Sequence, residues 1–406
     1  MKFRPTTSLL LPAWLALAGT TATAQSSPYY IGLAQTIAHD SNLIRLRDNQ
    51  QLPVGLSKSD TVSSTALIAG IDQPFGRQRL FGTANLSSNR YSNNSDFNSS
   101  AYALRLGLDW QTVERISGRV SVASDRTVRA DARDANDQFI LRSNAETANQ
   151  LDASVSVGLV TRLSAEATVL RRDVRYSAAQ AAFREYQQTG ASLGLRYKPG
   201  SAITWGLGLR QTRWDYPSLL VGTADTNDRR TRNDVDASLV WQPSAVSSFD
   251  VRLSSSKTEH KQFNTRDFSG VTGSLGWDWQ PTAKLRFNTR LARDTGQDAD
   301  RVTTAFSRTT DTLRIGADYA LSAKIGVNLA VNAYDRQVDG RGLVVTGLAG
   351  REKGNSLSFG ARWAPVRSTV VGCNVTSEGL GGNSNPALSD KYSAAGFSCF
   401  GQFILQ

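Results

Sequence analysis

The chain has 406 residues, with 46 Lys+Arg against 35 Asp+Glu, two histidines and a net charge of +11. At 40% apolar and 8% aromatic it is too hydrophobic for a disordered chain, and two cysteines are too few for a disulfide scaffold. A mean hydropathy of −0.33 argues against a helical membrane protein but not against a transmembrane β-barrel, whose strands are half polar by construction.

Residues 1–24 read as a secretory signal peptide. Lys2 and Arg4 form a basic start, Ser8 to Ala18 is a short apolar core, and Ala22-Thr23-Ala24 is the small-residue pattern expected before cleavage. The core is too short to cross a bilayer as a helix. Cleavage near Ala24 leaves residues 25–406 with a charge of +9. No cysteine near that point offers a lipid anchor, and no later stretch reaches the ~18 consecutive apolar residues of a membrane helix. Nothing resembling a plug domain precedes the first strand, expected over residues 29–41.

From there the chain repeats a unit of two long strands around a short turn. Val235 to Gln242 leads through Pro243 into Ser248 to Ser254, and Val271 to Gln280 leads through Pro281 into Lys284 to Leu291. Turn centres recur near Pro74, Thr112, Thr161, Pro199, Pro243, Pro281, Ser322 and Pro365, 38 to 49 residues apart. Within each unit apolar and polar residues alternate: Leu313, Ile315, Ala317, Tyr319 and Leu321 share one face, Arg314, Gly316 and Asp318 the other. A period of two is a strand signal.

Repeats of this length fit either a β-propeller of four short strands per blade or an up-and-down barrel of two long strands per repeat. The strands are long, one connection has two to five residues, and the other is longer and polar. That alternation selects an all-β fold: a transmembrane antiparallel barrel with short periplasmic turns and longer extracellular loops. One strand at the start, two around each of eight turns and one near 391–406 make eighteen, or sixteen if the 126–147 region loses a pair. The last strand, Gly396 to Gln406, resembles the signal read by barrel-insertion machinery, but ends in Gln406 instead of an aromatic residue. The longest loops are expected at 126–147, 216–232 and 337–354, the second containing the basic run Asp228-Arg229-Arg230-Thr231-Arg232.

Trp110, Tyr197, Trp241, Trp279, Tyr319 and Trp363 fall on the apolar face just before short turns, where a barrel carries its periplasmic aromatic girdle. On the polar face stand Arg105, Arg119, Arg196, Arg210, Arg252, Arg286, Arg290, Arg314 and Arg362, with Asp109, Asp152, Asp236, Asp250, Asp278 and Asp318. A charge on the lipid face costs ~2–4 kcal/mol at mid-bilayer, so these residues are expected to line the pore. They form either a solvated wall of acid–base ladders or a lumen biased towards anions, since basic rings favour anionic permeants.

His39 and His260, the only histidines, give no nucleophile–base pattern, and no Cys/His/acid spacing points to a metal. No catalytic residue and no cofactor is expected, and the chain reads as no enzyme. Cys373 and Cys399 lie about opposite one another in the last two strands. An oxidising compartment permits a disulfide there, whereas a register slip of one residue would put the two on opposite faces. Secretion and barrel patterning argue against a nucleic-acid partner despite the basic charge.

Tyr30 to Leu46, with its core His39-Asp40-Ser41-Asn42-Leu43-Ile44-Arg45, resembles the opening of the EpsL-type proteins, where an Asp-Asp-Asn-Leu-Phe-Arg-like segment follows the first strand. Ser41 replaces the second Asp of that pattern and Ile44 its Phe. The Cys-containing end, Phe397 to Gln406, resembles the same family, and with the repeated Trp-x-Pro turns the likeness runs through residues 25–406. EpsL-type proteins are β-barrel porins of exopolysaccharide operons. The resemblance implies a Gram-negative outer-membrane protein in exopolysaccharide biosynthesis or export, with membrane lipid, a secreted polysaccharide and its synthesis machinery as partners. The alternative is a general or anion-selective diffusion porin for small solutes.

Overall fold

The computed structural model describes residues 27–48, 50–129, 139–140, 143–160, 162–221, 224–262, 267–298, 306–339, 350–381 and 391–406. The proposed signal peptide lies outside these residues.

Strand β1 spans Tyr29–Asp40. Eight hairpins follow: β2 Asp60–Phe75 with β3 Gln78–Tyr91, β4 Ser99–Gln111 with β5 Ile116–Arg129, and β6 Asn144–Val160 with β7 Leu163–Tyr176. Next come β8 Tyr186–Tyr197 with β9 Ile203–Val221, β10 Ala224–Ser244 with β11 Ser247–His260, and β12 Phe268–Trp279 with β13 Leu285–Asp298. The series ends with β14 Phe306–Ala320 and β15 Ile325–Asp339, β16 Gly350–Val366 and β17 Thr369–Leu380, and the lone β18 Tyr392–Leu405. Each strand pairs antiparallel with the next, and β1 pairs with both β2 and β18, closing an 18-stranded barrel.

All eight short turns fall within about three residues of the expected centres, although Pro74, Pro243 and Pro365 themselves lie in the ends of β2, β10 and β16, and the closing strand occupies the expected place. Local chemistry ends each strand cleanly. Gly76 takes φ +60 in the two-residue turn between β2 and β3, a conformation that glycine adopts without steric cost. In β10 the register shifts between Trp241 and Ser244, and in β16 between Trp363 and Val366. Pro243 and Pro365 sit in those irregularities, where a residue without an N–H leaves no ladder bond unmade.

The register sorts side chains into two faces. One carries the exposed apolar residues, among them Leu193 (68%), Leu207 (67%), Leu209 (63%) and Val271 (64%). A row of bare leucine and valine round a closed barrel is the surface of a membrane-spanning one. The other face is the inner one, because side chains there meet across intervening strands: Arg290 of β13 reaches Asp250 of β11, and Arg232 of β10 reaches Asp294 of β13.

The expected loop at 216–232 is strand over 216–221 and 224–232 instead, with 222–223 outside the described residues. The β9–β10 ladder continues through Asp228↔Tyr216 and Arg230↔Trp214, with polar residues on both faces. Backbone hydrogen bonds carry a hairpin on where no lipid demands an apolar face. Expected loop 126–147 begins within β5 and ends within β6, and 337–354 begins in β15 and ends in β16. Residues 130–138, 141–142 and 340–349 of those segments lie outside the described residues. The longest connection is residues 41–59, between β1 and β2.

Candidate functional site: the barrel interior and its inner-wall loop

All fifteen charged residues named for the polar face lie on the inner face. They form ladders more than a free basic wall. Near the short-turn end Arg119 pairs with Asp109, and Arg79 joins Asp109 (3.8 Å) to Asp72 (2.5 Å). Phe81 lies beneath, with Arg79 and Arg119 at 5.7 and 5.1 Å from its ring centre. Elsewhere Arg196 meets Glu166 (2.5 Å), Arg286 meets Asp278 (3.5 Å) and Arg290 meets Asp250 (3.1 Å). Asp152 accepts from Gln150 Nε2 (2.8 Å), and Asp318 stands opposite Arg286 in register. Arg105 acts by charge on Asp125 of the neighbouring β5, while Arg314 and Arg362 form no ion pair with a carboxylate among the described residues.

The densest part is the wall of β9 to β13. Asp234, 3% exposed, receives Arg210 and Arg232, each at 2.8 Å, and the Ser256 hydroxyl at 2.5 Å. Asp236 receives Arg252 (2.9 Å), Arg210 (3.4 Å) and the Ser254 hydroxyl. Arg232 also reaches Thr272 Oγ1 (3.1 Å) and Asp294 (3.3 Å). Higher on the same wall Arg230 lies 4.0 Å from the Trp214 ring centre, and Tyr186 packs on Tyr216 at 5.7 Å. Opposite charges between inward side chains of neighbouring strands stabilise the sheet as cross-strand pairs do.

Sequence reasoning missed Arg232 and Arg230 by assigning them to a loop. It also passed over Arg79, Glu166, Asp234 and the Arg336–Glu352 pair (2.9 Å). The signal was present, since Arg230, Arg232, Asp234 and Asp236 occupy alternate positions. Counting the inner-face strand residues whose side chains are described gives fourteen arginines and seventeen carboxylates. The arginine excess behind an anion-biased lumen therefore does not survive the full count.

The connection 41–59 builds the second part of the site. Arg45 donates to Asp40 (2.8 Å) and pairs with Glu378 of β17, and both carboxylates belong to the inner face. Asn42 closes the turn: its Nδ2 donates to the carbonyls of Leu46 (3.0 Å) and Ser393 (3.1 Å), and its Oδ1 accepts from Leu46 N (2.7 Å). Ile44 and Leu46 are buried with Phe97, backed by Leu56, Tyr91 and Phe139. At the far end Asp60 accepts the amide protons of Thr61, Ser92, Asn93 and Asn94 at 2.7–3.1 Å. The loop thus lies on the inner wall from β17 round to β3, at the mouth opposite the short turns. Arg45 has φ 51, unusual outside glycine, and such strain persists only where surroundings over-determine it. Burial opposes its charge, but Glu378 and Asp40 more than offset that and hold its guanidinium above the ordinary arginine value.

The two histidines close their strands on opposite faces. His39 stacks on Phe397 at 5.9 Å and meets Thr61 Oγ1 (3.0 Å). His260, with its side chain 2% exposed, meets the equally buried Asp228 at 2.8 Å.

Trp110, Tyr197, Trp241, Trp279, Tyr319 and Trp363 lie on the outer face next to short turns. Three aromatic residues that the sequence reading passed over join them in a stacked ladder across β10 to β13. Trp241, Phe249, Trp277, Trp279 and Phe287 follow one another at 5.4–5.8 Å. Cys373 and Cys399 face each other directly on the outer face and are joined by a disulfide.

No family model matches the chain. No curated protein matches it in sequence either. Solved structures similar to it include the FrpB iron transporter from Neisseria meningitidis, at 11% identity and TM-score 0.48 over 88% of this chain and 62% of that one. The chain thus spans less than two thirds of that transporter's length. OccK3 (OpdO) from Pseudomonas aeruginosa shows 11% identity and TM-score 0.47 over 93% and 95% of the two chains. The outer membrane channel DcaP of Acinetobacter baumannii shows 11% and 0.45 over 93% and 96%. Likenesses this distant add nothing to the barrel described above.

Proposed function

We propose that the chain is an outer-membrane channel of a Gram-negative bacterium that serves exopolysaccharide biosynthesis or export, as a conduit or assembly component for the secreted polymer. Residues 1–24 act as its cleaved leader, and polysaccharide-synthesis machinery is its partner across the periplasm. The observation that carries the reading is the loop after β1. The residues on which the EpsL resemblance rests, Asp40 to Leu46, are the ones that fold it onto the inner wall. The inner face offers what a sugar chain needs along its path: carboxylates and guanidinia for hydroxyl groups, and ring faces at Trp214, Tyr216 and Tyr186 for the apolar sides of pyranose rings. Eighteen strands are enough for a water-filled passage.

The ion-pair ladders equally suit a general diffusion porin for small solutes, with the named arginines and aspartates as its pore lining. Single-channel recording of the refolded protein in planar bilayers, with and without the host's soluble exopolysaccharide, separates the two. Discrete steps that the polymer blocks are expected for a conduit. Steps indifferent to the polymer favour the diffusion porin, and silence from a correctly folded barrel overturns both.

A further inference from the structure

The short turns share a feature that the channel reading does not use. Seven of the eight carry a lysine or arginine: Arg77, Arg115, Arg162, Lys198, Lys284, Lys324 and Arg367. All seven are exposed, and Glu114 is the only acid among the turn residues. None of the seven has a carboxylate partner among the described residues. Three lean along the rim instead, Arg77 to the Thr112 carbonyl (3.0 Å), Arg115 to that of Leu159 (3.2 Å) and Lys324 to that of Pro365 (2.8 Å). One carbonyl contact leaves each of these cations with donors to spare.

Height on the barrel says what they meet. Immediately above the turns, on the outer face, stand Trp110, Tyr197, Trp205, Trp241, Trp279, Tyr319 and Trp363, and above these the bare leucines and valines. Tryptophan and tyrosine settle at the boundary between hydrocarbon and headgroups. Cations in the turns just beyond them therefore stand at the level of lipid phosphates, where long basic side chains extend from the apolar layer.

We infer that the short-turn rim is a binding surface for anionic phospholipid headgroups, of the phosphatidylglycerol class, in the leaflet on that side. The positive charges recur once per hairpin round nearly the whole circumference, as an encircling lipid ring requires. An acidic partner protein docking from one side would call for a patch. Zwitterionic headgroups offer the same phosphate without net charge, so the surface discriminates by charge. This inference rests on the membrane reading of the barrel.

The outer-face tryptophans supply the readout. The full-length protein is reconstituted in phosphatidylcholine vesicles containing an equal mole fraction of either brominated phosphatidylglycerol or brominated phosphatidylcholine, and quenching of tryptophan fluorescence is compared. The anionic lipid is expected to be preferred several-fold in low salt, with the preference falling as salt rises. Replacing all seven cations by glutamine is expected to bring the ratio to about one. If that variant does not fold, the R77Q/K198Q/K284Q/K324Q variant is expected to lose about half of the preference. Equal quenching by both lipids in the wild type, or a preference unchanged in a folded variant, overturns the inference while leaving the membrane reading standing. Quenching by neither lipid overturns both.

Discussion

At the scale of single residues, the inner face holds ion pairs of very different worth, and burial decides which is which. Asp234 has a side chain 1% exposed and answers two arginines, Arg210 and Arg232, each 14% exposed. Removing its charge leaves Arg210 with only the longer contact to Asp236 (3.4 Å) and Arg232 with that to Asp294 (3.3 Å) in a site that water hardly reaches, and breaking a buried pair costs roughly 3–5 kcal/mol. Glu166 and Arg196, 24% and 43% exposed, are solvated from the channel side. An exposed pair is worth about 1 kcal/mol or less. In urea unfolding of the lipid-reconstituted barrel, Asp234→Asn is therefore expected to lose several times more stability than Glu166→Gln. Equal losses would mean that water penetrates the β9–β13 wall as freely as the rest of the channel. None of this ranking was legible from alternation, which places a charge on a face but says nothing of how many neighbours converge on it. Asp234 was overlooked because the expected strand began one residue later, at Val235, while Asp236, with the same parity, was picked out.

At the scale of elements, the hairpins were legible and the loop after β1 was not. Hairpins announce themselves because lipid on one side and water on the other impose a strict period of two, with an aromatic residue and often a proline before the turn. Where the barrel leaves the lipid, the constraint lapses, so the β9–β10 extension reads as a polar loop although its ladder continues to Asp225↔Leu220. The segment 41–59 has no period at all. Its order comes from Asn42, Asp60 and Arg45 satisfying particular backbone and carboxylate groups, which only the fold brings together. This suggests a test that separates strain from fastening. Arg45→Ala removes the contacts to Asp40 and Glu378 yet keeps a β-carbon in a left-handed conformation, which costs roughly 1–2 kcal/mol. Arg45→Gly removes the same contacts and the strain together. Both are expected to free the loop from the mouth and raise single-channel conductance, but the glycine variant is expected to melt above the alanine one. If conductance is unchanged in both, the loop does not narrow the passage.

At the scale of the whole molecule, net charge and channel charge part company. The chain carries +11, which invites the expectation of an anion-selective pore. The described inner-face strand residues carry seventeen carboxylates against fourteen arginines, most of them answering one another at hydrogen-bonding distance. The positive excess sits elsewhere. Among described strand residues on the outer face, ten lysines and arginines face five acids, and the short turns add seven bases against Glu114. Charges outside the barrel are separated from the permeation path by the wall and screened within about 8 Å at physiological salt. A permeating ion therefore meets a lumen of nearly balanced sign. Reversal potentials measured across a potassium chloride gradient are expected to give a chloride-to-potassium permeability ratio within about a factor of two of unity. Arg314 and Arg362, which form no ion pair with a carboxylate among the described residues, are the residues able to tip it, and changing both to glutamate is expected to move the ratio towards potassium. A strongly chloride-selective wild type, unmoved by those substitutions, would mean that the charge of the mouths and not of the walls governs passage.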